Sequence, residues 1–158
     1  ARSMQRLMKG NAMIFSMDDY LAMSRGRHEN ALDAVRETGL PFIESFHAAI
    51  AEAARKGALV IVAHVIGESR AWVQDLLNRL SGIPRALIKV DCREDILLER
   101  ERNRTDRTPD PAHAERQYGS IHQNFPHDFS IDTSEATPRE CAQKLMEQLP
   151  PEFRATQE

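Results

Sequence analysis

The sequence predicts an α/β fold built on a doubly wound parallel sheet, and three observations carry that expectation. Short apolar runs alternate with longer amphipathic stretches, the order that gives βαβ units. The run Leu59-Val60-Ile61-Val62-Ala63-His64-Val65 is continuous rather than alternating, as in a strand covered on both faces. Polar residues (Asp18-Asp19, His64, Asp91-Cys92 and Asp132-Thr133) close the apolar runs, at the strand ends where such sheets bind ligands.

The elements follow in order. Residues 1–9 carry Met4, Leu7 and Met8 at helical spacing, and Gly10-Asn11 stops that helix. Arg2, Arg6 and Lys9 interrupt its apolar residues, which is not the pattern of a secretion signal. Ala12-Met13-Ile14-Phe15 is a short buried strand that delivers Asp18 and Asp19 a few residues later. Residues 18–23 form a short turn or helix. Residues 24–38 are polar and charged without a period, an excursion or lid. Residues 41–56 place Phe42, Phe46, Ile50 and Ala53-Ala54 on one helical face, with Pro41 at the start and Gly57 at the end. The strand at 59–65 comes next. Residues 69–80 are a second amphipathic helix through Trp72, Val73, Leu76, Leu77 and Leu80, with Ser69 as N-cap. Residues 84–90 are a third strand and 93–104 a charge-rich helix, broken by Thr108-Pro109-Asp110-Pro111. Residues 112–122 give a further helix, 129–132 a fourth strand, and 138–149 a last helix ended by Pro150-Pro151.

Composition narrows the function classes. A chain of 158 residues fits one domain. Hydrophobic residues at 41% and charged residues at 28% exclude a disordered chain. The net charge of −3 gives no footprint for nucleic acid. No apolar run approaches the ~18 residues of a membrane span. Cys92 and Cys141 form no disulfide framework, so a cytoplasmic protein is expected.

Several residue groups could carry chemistry. A carboxylate at Asp18 or Asp19 can accept the proton of a substrate hydroxyl or hold Mg²⁺ through water, but aspartates also simply start helices. Arg100, Arg102, Arg104 and Arg107, flanked by Arg93 and Arg116, could grip phosphate oxygens, or could be a solvated face paired with Glu99 and Glu101. Their position before a Pro-containing break favours a phosphate-binding lid. His64 ends the most apolar strand, where a core histidine competes with a functional one. His47, His113, His122 and His127 share no ligand spacing and no CxxC occurs, so no metal-binding cluster of these residues is expected.

Four pieces recur in order: Phe15-Ser16-Met17-Asp18-Asp19; Val60-Ile61-Val62-Ala63-His64-Val65; Val90-Asp91-Cys92 with the segment from Glu99 through Arg107; and Ser130-Ile131-Asp132-Thr133-Ser134. Together they resemble the chloramphenicol phosphotransferase family of small P-loop kinases, over nearly the whole chain to about Leu149. The resemblance implies a sheet of the P-loop kinase type and ATP-dependent phosphorylation of a small-molecule hydroxyl, with ATP and Mg²⁺ as cofactors. The family's catalytic aspartate falls on Asp18, and Asp19 and His64 fall on the substrate side. Its arginine lid implies Arg104 and Arg107 as catalytic phosphate-facing groups. Arg100, Arg104, Arg107 and Thr133 are then the nucleotide-side residues. Two departures stand out. Ala63 occupies a position where relatives often carry a carboxylate. No glycine-rich loop ending in Lys-Ser/Thr occurs in the 158 residues. Residues 1–158 are therefore expected to be one P-loop kinase-like domain, N-terminally incomplete, with the first strand and P-loop missing. Losing that central strand would leave a gap between neighbours normally ~4.8 Å apart. A catalytically inactive relic that binds a ligand or partner, and a zeta-toxin-like nucleotide-sugar kinase, are the alternatives.

Overall fold

The computed structural model describes residues 1–8, 12–23, 36–37, 41–66, 69–105 and 108–154. The expected excursion at 24–38, apart from residues 36 and 37, lies outside the described residues, as does Arg107. The elements are α1 (Arg2–Leu7), β1 (Ala12–Ser16), α2 (Met17–Ala22), α3 (Pro41–Arg55), β2 (Leu59–Ala63), α4 (Arg70–Arg79), β3 (Ile88–Asp91), α5 (Glu94–Arg102), α6 (Pro111–Tyr118), β4 (Phe129–Asp132) and α7 (Pro138–Gln148), then a short 3₁₀ turn (Pro151–Phe153).

Local chemistry explains the boundaries. In α3, Ile43, Phe46, His47, Ile50 and Ala51 form one buried stripe. Gly57 follows that helix at φ 88°, a left-handed conformation that glycine adopts at little cost. The Ser69 side chain accepts the Trp72 N–H at the start of α4, and Asp110 accepts the His113 N–H at the start of α6. Thr137 and Glu140 form a reciprocal capping box at the start of α7.

The strands depart from the expectation. β1 pairs in parallel with β2, from Ala12 opposite Leu59 to Ser16 opposite Ala63. β3 pairs in parallel with β4, from Ile88 opposite Phe129 to Asp91 opposite Asp132. Among the described residues these are two separate two-stranded sheets, not one continuous sheet. β2 and β3 each have a ladder partner on one edge only, so neither supplies the other with backbone hydrogen bonds. The expected coverage of residues 59–65 on both faces also fails. Val62, Ala63 and Val65 are exposed, and so is Val90 on β3.

The two ribbons nevertheless share a helical layer. Met4 and Met8 at the first helix, with Ala142, Leu145 and Leu149 at the last, bury Leu59 and Ile61 of β2 together with Ile88 of β3 and Phe129 of β4. A second core lies around β1 and β2. There Phe46, Ile43 and Ile50 of α3 meet Val73 and Leu76 of α4, with Phe15 and Val60 packed against them.

Candidate functional site

The C-terminal end of the β1–β2 ribbon gathers the first group of expected residues. Ser16 and Ala63 are the last register pair, so α2 and His64 leave the ribbon at the same edge. Asp18 and Asp19 occupy the first turn of α2, and both are exposed. Acidic groups there complement the helix dipole, although the N-cap position is Ser16 and no side chain makes a capping bond, and both carboxylates face solvent. Proton acceptance and helix starting are compatible in this geometry.

His64 belongs to a hydrogen-bonded chain. His47 is fully buried on α3; its Nδ1 lies 2.7 Å from Asp75 Oδ2, and its Nε2 lies 3.1 Å from His64 Nε2. Asp75 also accepts both hydrogen bonds from Arg79 Nε, one turn along α4. These contacts hold the Asp75 carboxyl below its usual range despite the opposing effect of burial. An ionised carboxylate only accepts, so His47 donates through Nδ1–H. His47 Nε2 is then a lone pair, and His64 must donate to it through Nε2–H. That leaves His64 Nδ1 as a lone pair. It is buried and has no hydrogen-bond partner among the described residues. Desolvation, then the neighbouring His47, pushes the His64 pKa down to about 3, so the ring stays neutral and the polarity of the chain is fixed. Phe46 stacks edge-on against His64 at 5.3 Å and holds its plane. Such an atom can accept a hydrogen bond from a hydroxyl that reaches it.

The second group gathers at the end of the β3–β4 ribbon. Arg100 donates to the Thr133 carbonyl at 2.6 Å and to Thr133 Oγ1 at 3.3 Å. Thr133 Oγ1 in turn donates to the Asp91 carbonyl at 2.9 Å. The structure therefore brings Arg100 and Thr133 together, as a clasp on the strand ends. Arg104 lies 3.1 Å from Glu101 Oε2, and the other oxygen of this buried carboxylate accepts the Asp110 N–H at 2.9 Å. No hydrogen bond or ion pair joins Asp18 to Arg100. The described residues do not make a phosphate cradle: Arg100 is engaged with a main-chain carbonyl, Arg104 with Glu101, and no glycine-rich loop is present in the sequence. Among them no group of three His, Cys, Asp or Glu could hold a metal ion.

Sequence reasoning missed His47 and Asp75. The signal for His47 was its position on the Ile43–Ile50 stripe, which marks a histidine that must be buried and hydrogen-bonded.

Comparison with known proteins completes the picture. No curated protein matches the sequence. The solved structure of the Deinococcus radiodurans tunicamycin resistance protein resembles this one with a TM-score of 0.65 at 18% identity, over 96% of this chain and 94% of that one. At that identity the likeness establishes the fold alone. The sequence profile of the chloramphenicol phosphotransferase-like proteins matches residues 1–150, and the chain belongs to that family.

Proposed function

We propose that the chain is the acceptor-handling body of an ATP-dependent phosphotransferase that phosphorylates a hydroxyl of a small molecule. The observation that carries this reading is the shared end of the β1–β2 ribbon: α2, with the exposed Asp18 carboxylate in its first turn, and His64 both follow the last register pair, Ser16 and Ala63. Asp18 accepts the hydroxyl proton, and His64, at the end of the neighbouring strand, borders the acceptor side. Family membership over residues 1–150 supports the reaction class. ATP and Mg²⁺ are the proposed cofactors. Since the 158 residues hold no phosphate-cradling loop, the reading requires one from outside them. The unpaired edges of β2 and β3 are where the strand leading into such a loop would add, completing a doubly wound sheet of the P-loop kinase type.

The test is phosphoryl transfer by the longest native form, with ATP, Mg²⁺ and a panel of hydroxyl-bearing small molecules. Transfer is expected, and Asp18→Asn should slow it by roughly 10²-fold or more, the usual worth of a positioned proton acceptor. Undiminished transfer by the variant overturns the role of Asp18. A second reading, a non-catalytic binding module, is favoured by the absent loop and the split sheet, and failure to transfer to any acceptor would establish it.

A further inference from the structure

Arg93, Arg100 and Arg104 are engaged with other residues, whereas Arg70 has no such partner among the described residues. Arg70 opens α4, is exposed, and makes no hydrogen bond or ion pair among the described residues; the first turn of α4 carries no acidic side chain. It lines a cavity of about 600 Å³ together with the segment 122–127. That volume is in the range of small-molecule sites.

The cavity lies where the two ribbons approach each other. His122 Nε2–H donates to the Val90 carbonyl of β3 at 3.2 Å, and Asp91 stands 4.0 Å from the same nitrogen. Three residues further on, Phe125 packs against the core of the β1–β2 ribbon. The 122–127 segment thus spans from the end of β3 to the helices behind β2. Its wall offers an apolar surface, Phe125 and Pro126, beside polar groups of Arg70, His122, Gln123 and His127. No carboxylate lines the cavity among the described residues. With Nε2–H committed to Val90, Nδ1 is the remaining polar atom of the His122 ring. A guanidinium fork and imidazoles over an apolar wall suit a phosphate or carboxylate attached to a small organic body.

We propose that this cavity holds the anionic group of the acceptor molecule, so that the acceptor is a small alcohol bearing a phosphate or carboxylate. The inference rests on the phosphotransferase reading for the word acceptor, but the anion site stands on its own geometry.

The experiment titrates the full chain with phenyl phosphate, with benzoate and, in a separate arm, with ATP, following the imidazole resonances of His122 and His127 by NMR. Saturable shifts of both rings are expected with phenyl phosphate or benzoate, weakened at least tenfold by Arg70→Gln and unchanged by Arg116→Gln on the exposed face of α6. His127→Gln is the second variant and should weaken binding as well. The thermal midpoint of each variant establishes that it is folded. Absence of saturable shifts, or equal affinity in Arg70→Gln and His127→Gln, overturns the inference. Shifts with ATP but not with the small anions assign the cavity to the nucleotide and also overturn it. The two readings fail separately. Intact anion binding without transfer to any acceptor refutes the kinase and leaves the site. Transfer to neutral alcohols, unaffected by Arg70→Gln, refutes the site and leaves the kinase.

Discussion

Around β1 and β2 the notable polar groups are imidazoles drawn into the core, while around β3 and β4 they are charges spread over the surface. His47 is completely buried and held between Asp75 and His64, beside the Phe46 ring. Arg93, by contrast, is half-exposed and reaches Asp95 and Glu135, both in solvent. Asp132 is kept below the usual carboxylate range by the hydroxyl and N–H of Ser134, again at the surface. The difference teaches where function is to be sought. In the first ribbon an expensive burial is maintained around an atom that has no partner among the described residues, His64 Nδ1. In the second, Arg100 and Arg104 of the arginine run are occupied in holding the chain together.

The largest effect expected from breaking this contrast is in the first core. Phe46 is fully buried and touches Phe15, Tyr20 and His64 through its ring. Phe46→Ala should cost ~3–5 kcal/mol in urea denaturation, the range for a large aromatic cavity. A cost under ~1.5 kcal/mol, the size of a tolerated volume-conserving swap, would mean that the first ribbon is not the better-packed region. Next comes Asp75→Ala. It removes the acceptor for the buried His47 Nδ1–H and frees Arg79. A loss of ~1–3 kcal/mol is expected, because the stranded donor bears its full desolvation penalty. The urea midpoint reads this directly, and a neutral result would sink the assigned polarity of the chain.

The pH dependence is smaller over any one interval. Burial lowers the His47 pKa, against the raising effect of Asp75, and lowers that of His64 to about 3. An unfolded histidine titrates near 6.5. Between those values the unfolded chain takes up a proton that the folded chain refuses, so stability falls as pH falls. The contribution is complete above the unfolded value and is lost at up to ~1.4 kcal/mol per pH unit for His64. Asp75, whose folded pKa is lowered, adds its own loss only below the usual carboxylate range. Urea midpoints between pH 6.5 and 4.5 should therefore decline, and His64→Phe should flatten the decline. An unchanged slope would show that His64 is protonated without cost.

Most of the fold was legible because its boundaries are set locally. Gly57, Ser69, Asp110-Pro111 and Thr137 mark their helix ends through short-range chemistry, and the helices end where those signals lie. The separation of the sheet was not legible from the apolar runs, because a strand pattern does not say which edge it pairs. The site divided along the same line. Asp18 and His64 could be placed at strand ends by position alone. The partner of His47 lies 28 residues away on another helix, and that of Arg100 lies 33 residues away, so neither pairing is written into a local pattern. The arginine run looked like a phosphate lid since like charges close in sequence suggest a common ligand. In space its described members face different partners.

The smallest effect concerns Arg93, and it sharpens the contrast from the other side. Its guanidinium lies 3.2 Å from Asp95 and 2.9 Å from Glu135, and these contacts raise its pKa while lowering that of Asp95. Three charges in proximity look like a stabilising network. All three side chains are well exposed, however, so water and salt screen them, and ordering long side chains offsets the Coulomb gain. Arg93→Ala should therefore leave the urea midpoint nearly unchanged, with any shift smaller in high salt than in low. Its main-chain N–H still donates to Ser134 Oγ at 2.8 Å in the variant, so the tie between α5 and the end of β4 persists. Paired urea curves at low and high ionic strength check this. A clear drop in the midpoint that salt leaves unchanged would mean the network acts as buried structure, and the division between a buried polar chain in one ribbon and peripheral charge in the other would not hold.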